Sequence, residues 1–193
     1  MKNQVVKIVV SLLALSAMAV AGDVSGKISG VAGRSVVYLS PATAKAFPAP
    51  GDHPVINQKS LSFDPHITVI QQGTTVDFLN NDSVQHNVFW PSIGGDRKAA
   101  HNMGTWPTGE KRSFKFDKPG LVALLCNVHP EMGGYIVVSP SPYYAETDDN
   151  GNFKIANVPD GNYTATVWHE GEKPQSKPIA VGKEAKADFT LGK

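Results

Sequence analysis

Apolar and polar residues alternate with a period of two over short stretches along most of the chain, and clusters of turn-forming residues separate the stretches. The clearest stretch is residues 74–79, where Thr74, Val76 and Phe78 face one way and Thr75, Asp77 and Leu79 the other. Residues 24–29, 34–39, 55–57, 67–70, 84–90 and 111–116 read as further strands. Residues 121–125 form a continuous apolar strand that ends at Cys126, and residues 135–138 close this block. Beyond Pro142, turns at Asp148-Asp149-Asn150-Gly151 and Val158-Pro159-Asp160-Gly161 separate strands at 153–156, 163–169, 178–181 and 185–191. Residues 40–53 read as a linker. Residues 91–109 read as a long loop with room for one short helix, and no other convincing helix follows the first 21 residues. Short strands with a turn every 8–12 residues predict an all-β fold of the sandwich or barrel kind.

The first 21 residues follow another rule. Lys2 and Lys7 supply positive charge, the stretch from Ile8 to Ala21 is apolar except for Ser11 and Ser16, and Ala19-Val20-Ala21 puts small residues at the end. This is the pattern of a secretory leader cut between Ala21 and Gly22, and the apolar run is shorter than the roughly 20 residues a membrane span needs. The expected location is therefore periplasmic or secreted. No later apolar run reaches membrane length. With 18 Lys and Arg against 17 Asp and Glu, two of the lysines in the leader, no nucleic-acid partner is expected.

Export sharpens the question of the one cysteine, Cys126. It cannot form an internal disulfide, and a lone thiol in an oxidising compartment is an oxidation hazard unless it is buried or bound. It opens the segment Cys126-Asn127-Val128-His129-Pro130-Glu131-Met132, with a thiolate, an imidazole and a thioether at C-x2-H-x2-M spacing. Forty residues upstream, His86 lies in a predicted strand. A trigonal His2Cys set with a weak axial Met is the arrangement of blue-copper sites. The other readings are a buried structural cysteine and a Cys/His zinc site, although zinc sites usually carry more strong ligands and a thioether is a poor one. The strand before Cys126 would fix its sulfur, and the loop would fold back over the metal. Gly133 and Gly134 would then permit the turn that returns the chain to the sheet.

Residues 55–138 resemble the cupredoxins, the amicyanin and plastocyanin group in particular. The resemblance rests on Phe63-Asp64-Pro65, on Gly-Thr-Thr-Val from Gly73 to Val76, on Asn-Asp-x-x-x-His-Asn-Val from Asn81 to Val88, and on the Cys126 loop. It implies a Greek-key β-sandwich holding one type 1 copper, with His86, Cys126 and His129 as equatorial ligands and Met132 axial. It also implies electron transport to a redox partner protein of the c-type cytochrome or periplasmic dehydrogenase kind. Ala123-Leu124-Leu125 lacks the aromatic often found before the cysteine, and residues 91–109 do not align.

Residues 147–163 resemble the carboxypeptidase regulatory-like β-sandwich domains, which are non-catalytic. Residues 24–39 look like the opening strands of such a sandwich. The expected organisation is a leader at 1–21, a cupredoxin domain at 54–140, and a second small β-sandwich built from 22–40 together with 141–193. The rival is a plain tandem with residues 24–39 packed on the cupredoxin.

Other residues carry less. His53, His66, His101 and His169 have no partner at ligand spacing and read as surface or structural. Asn87 is a candidate to tie the His86 strand to the Cys126 loop, with an ordinary strand residue as the alternative. Trp90, Met103 and Pro130 are candidates for a docking rim around His129, although core packing suits Trp90 and Met103 better. Glu131 is expected to face solvent, and Asp148, Asp149 and Asp160 to be turn residues. An electron carrier with no enzymatic activity is the expected function. A copper oxidase or nitrite reductase needs a second histidine cluster, and a copper-handling or docking module is the alternative reading.

Overall fold

The computed structural model describes residues 21–192, so the expected leader lies outside the described residues except for Ala21. The chain opens with β1 (Ala21–Ser29) and β2 (Val36–Pro41). Nine strands follow: β3 (Val55–Lys59), β4 (Ser62–Asp64), β5 (Ile67–Gln71), β6 (Thr75–Asn80), β7 (His86–Trp90), β8 (His101–Trp106), β9 (Lys111–Lys115), β10 (Gly120–Leu125) and β11 (Gly133–Ser139). The chain ends with β12 (Tyr144–Glu146), β13 (Asn152–Pro159), β14 (Gly161–Trp168), β15 (Gln175–Val181), β16 (Glu184–Lys186) and β17 (Phe189–Thr190). The fold is all-β.

Strands β3 to β11 make an inner sandwich of two sheets, in the orders β5-β11-β10-β7-β8 and β4-β3-β6-β9. Its core is the inward face of each strand: Ile56, Phe63, Val76, Phe78, Val88, Trp90, Val122, Leu124 and Ile136 are all buried. The alternation seen in the sequence is what places them there, since residues two apart in a strand share a face. Strand β6 shows it directly, with Val76 and Phe78 at 0% exposure.

Strands β1 and β2 pair with the strands of the far end of the chain. β1 runs antiparallel to β13 and parallel to β16 and β17. β2 lies between β12 and β14, with Val36 opposite Trp168 and Leu39 opposite Ala165. Together these strands form an outer sandwich around Val24, Ile28, Val37, Leu39, Phe153, Ile155, Val167 and Leu191. The two sandwiches meet over Val36, Val137 and Trp168, with Tyr38, Ile67, Leu121 and Tyr135 packed against them. This junction explains the unbroken apolar character of β11: Ile136 and Val138 face the inner core while Val137 faces the outer sandwich.

The region 91–109 departs from the expected loop. It contains a 3-10 turn at Arg97–Ala99 and the whole of β8, which pairs antiparallel with β7. His-Asn-Met-Gly-Thr-Trp has no period-two signal because β8 is an edge strand, mostly exposed and held by one neighbour. Its open side is protected by Arg112 of β9, whose guanidinium donates to the carbonyls of Met103 and Thr105 and lies over the Trp106 ring. Strands β4 and β12, three residues each, are too short to carry a pattern. Gly133 and Gly134 also differ from expectation: both are paired residues of β11, not turn residues. Gly134 is required by packing, because a Cβ there would sit 3.0 Å from Phe63 Cβ and 3.2 Å from the His66 carbonyl.

Candidate metal centre

β7 carries His86 at its first position, and β10 delivers Cys126 just past its last one, with Leu125 opposite Phe89 on β7. The loop from Asn127 to Met132 then folds back across the end of the sandwich, closed by a hydrogen bond from the Met132 N–H to the His129 carbonyl at 3.0 Å. The result brings one donor atom each of His86, Cys126 and His129 within 4.8 Å of one another. Among the described residues this is the one such cluster of metal-ligating side chains. His86 is fully buried, Cys126 and Met132 are almost so, and His129 keeps partial exposure.

The donor atoms face each other. His86 Nδ1 and His129 Nδ1 are 3.0 Å apart, and the rings meet edge to face with centroids 4.7 Å apart. The Nε2 of His86 lies 3.1 Å from Asp82 Oδ2. Nε2 therefore carries the proton and donates it, which leaves a lone pair on Nδ1 pointing into the cluster. The Asn87 N–H points at Cys126 Sγ at 3.4 Å. Two imidazole nitrogens and one sulfur, with the Met132 side chain buried in the same core, fit a soft to borderline metal better than a hard cation, which prefers oxygen donors.

Asn87 is more than a strand residue. Its Oδ1 accepts from the Asn127 N–H at 3.2 Å, and its Nδ2 donates to Asn102 Oδ1 and the Gly104 carbonyl, both at 2.8 Å. One side chain thus ties β7, the Cys126 loop and β8 together. Trp90 packs in the core, as expected, and not on a docking rim: it is 1% exposed, meets Phe114 edge to face and His101 and Phe116 at a tilt, and Met103 is partly buried against the same core. Pro130 and Glu131 are exposed. The other histidines lie apart from the cluster: His53 sits 3.6 Å from Asp77, His66 pairs with Glu170 at 2.7 Å, and His169 bonds to Ser35 at 3.0 Å. Asp148 closes its turn by bonding Asn150 and Asn152.

Asp82 is the residue sequence reasoning passed over, because Asn80-Asn81-Asp82-Ser83 reads as an ordinary turn. Asp82 Oδ2 also accepts from the Leu61 N–H at 2.9 Å, and Oδ1 from the Ser83 N–H at 3.0 Å. These backbone bonds, Leu61's first, and the His86 bond hold its carboxyl below the usual carboxylate range. The available signal was its place four residues before a candidate ligand.

The family model for copper-binding proteins of the plastocyanin/azurin family matches residues 53–139, and the model for carboxypeptidase regulatory-like domains matches residues 133–192. Plastocyanin from Scenedesmus fuscus is 30% identical over 79 residues, 38% of this chain and 81% of that one. Among solved structures, a reduced amicyanin variant shares 20% identity over 52% of this chain and 98% of its own, with a TM-score of 0.42. A purple cupredoxin from Nitrosopumilus maritimus shares 26% over 45% of this chain and 99% of its own, with a TM-score of 0.39. Through its inner sandwich, this chain belongs to the plastocyanin/azurin family of copper-binding proteins.

Proposed function

We propose that the protein is an exported one-electron carrier whose copper is held by His86, Cys126 and His129, with Met132 as a weak axial ligand. The observation that carries this reading is the convergence of two imidazoles and one thiol within 4.8 Å at the closed end of a β-sandwich. Bound there, copper would supply one accessible redox couple, Cu(II)/Cu(I). The protein's part is rigidity. His86 sits in a strand, Cys126 directly follows one, and Asn87 fixes the loop that carries His129. A site that cannot relax between two oxidation states keeps the reorganisation cost of electron transfer low.

His129 is the partly exposed member of the set, and we assign its outer edge as the point where electrons enter and leave. Among the described residues, three of the four exposed large hydrophobic residues lie on segments joined to it or to its partners: Val128 precedes it, Val84 lies between Asp82 and His86, and Leu61 bonds to Asp82. Scattered exposed apolar side chains of this kind suit a small, transient contact with a redox protein. Within this reading residues 54–140 are the copper domain, and the outer sandwich, formed from 22–40 and 141–193, is a non-catalytic module that carries it.

Copper loading should produce an intense visible band from thiolate-to-copper charge transfer and a narrow copper hyperfine splitting in the electron paramagnetic resonance spectrum. Cys126→Ser should abolish both, while Met132→Leu should keep the colour and raise the reduction potential, since an axial thioether tunes more than it binds. A band that survives in Cys126→Ser would refute the assignment.

A further inference from the structure

The fold devotes unusual local structure to one carboxylate oxygen. The β3–β4 hairpin turns through Ser60 and Leu61, and both have left-handed backbones, with φ of 53° and 57°. Neither is glycine, so the turn carries a steric cost that the surrounding structure must offset. What the turn achieves is visible in its bonds: it aims the Leu61 N–H at Asp82 Oδ2, the same oxygen that faces His86 Nε2. The turn around Asp82 is held as firmly. Its own N–H donates to Asn80 Oδ1 at 2.9 Å, and its carbonyl accepts from the Thr108 hydroxyl at 2.6 Å. Asn80 is fully buried and donates in turn to the carbonyls of Val84 and Trp106. The Asp82 side chain is 17% exposed and His86 is 0% exposed, so the contact between them is largely shielded from water.

We propose that Asp82 is a positioning residue for the copper site: its carboxylate fixes the orientation of the His86 ring and sets how strongly Nδ1 donates to the metal. The inference rests on the copper-site reading above. An imidazole whose far N–H donates to an anion is more electron-rich than one bonded to a neutral acceptor, and it binds a dication more tightly. Asp82 thereby favours Cu(II) over Cu(I) and lowers the reduction potential. The Ser60-Leu61 turn holds the carboxylate in place, which makes a hairpin distant in sequence from every ligand part of the tuning.

The test compares Asp82→Asn, Asp82→Ala and Asp82→Glu with Glu131→Gln, which removes a carboxylate from the ligand loop that has no bond to a ligand. In Asp82→Asn the charge is lost and the shape kept. The Cu(II)-to-Cu(I) affinity ratio should fall about tenfold, which for one electron is a rise of about 59 mV in the potential measured by redox titration. Glu131→Gln should shift it much less, and Asp82→Glu should recover part of the loss. A second reading needs no metal: in the copper-free protein, nitrogen-15 NMR should show His86 as the Nε2–H tautomer with a slowly exchanging proton, and Asp82→Ala should speed that exchange at least tenfold. If Asp82→Asn keeps the blue band but shifts the potential no more than Glu131→Gln, or if exchange is unchanged in Asp82→Ala, the role assigned to Asp82 is wrong. Loss of the blue band in the unmutated protein would instead overturn the site reading itself.

Discussion

The two sandwiches use the same alternation but bury different chemistry. The outer one closes over a core of Val, Ile, Leu, Phe, Tyr and Ala, and its few buried polar side chains, Ser35, Ser141, Thr147 and Thr166, all find hydrogen-bond partners. The inner one buries Gln58, Gln71, Thr74, Asp77, Asn80, His86, Asn87 and Ser139, and both amide atoms of Gln58 lack a partner. A buried polar group costs stability unless it is bonded, so a sandwich that carries many of them is organised for something besides folding. Two of these groups lead to the metal-ligating cluster: Asn80 reaches His86 through Asp82, and the Asn87 N–H points at Cys126 Sγ. The outer sandwich differs in another way as well. Its central strands come from opposite ends of the described chain, whereas the inner sandwich is built from one continuous stretch.

Deleting residues 22–41 tests that contrast most severely. β1 pairs with β13, β16 and β17, and β2 joins β12 to β14, so both outer sheets lose a central member. The C-terminal strands should become protease-sensitive while the inner sandwich keeps its fold and its copper band. Loss of the band together with the outer sandwich would mean that the two cores are one cooperative unit.

Leu39→Ala is a smaller cut at the same place. Leu39 is fully buried in the outer core, and truncating it should cost about 2–5 kcal/mol in denaturant unfolding. The visible spectrum should not change.

Asp77 probes the polar interior of the other sandwich. Lys111 and Ser113 hold its side chain, which is 7% exposed, and with His53 nearby they lower its pKa. A carboxyl whose pKa is lower in the folded state contributes stability above its unfolded value and loses it as pH falls through the folded value. Asp77→Asn should therefore cost about 1–3 kcal/mol near neutrality. The gap from the unmutated protein should close below the ordinary carboxylate range, read as urea midpoints against pH. A gap that stays constant to low pH would assign the loss to packing, not to charge.

The smallest effect is expected at Gln58, which is 0% exposed with both side-chain polar atoms unpartnered. Gln58→Met keeps the volume and removes those atoms, so stability should stay within about 1 kcal/mol of the parent or rise. A larger loss would reveal that the amide has partners, such as an ordered water.

Legibility followed distance along the chain. The Cys126 loop was readable because three donors stand within seven residues and strand β10 delivers the first of them; His86 was readable because it lies within a predicted strand, 84–90, after a polar turn. Strand β8 was not, since an edge strand held by one neighbour needs no periodic sequence and shows none. Asp82 was hidden for a related reason. A turn aspartate and an aspartate aimed at an imidazole look alike until the Ser60-Leu61 hairpin, about twenty residues away, is seen to hold it.

By itself, then, the sequence determined the all-β class, most strand positions and the local spacing of the sulfur and nitrogen donors, because each of these depends on side-chain direction along a single strand or loop. Tertiary structure alone decided the register that sets Val36 against Trp168, the three-way tie at Asn87 and the bond from His86 to Asp82. Those depend on which strands become neighbours, and hydrogen-bond partners across a sheet carry no periodic mark in the chain that folds into it.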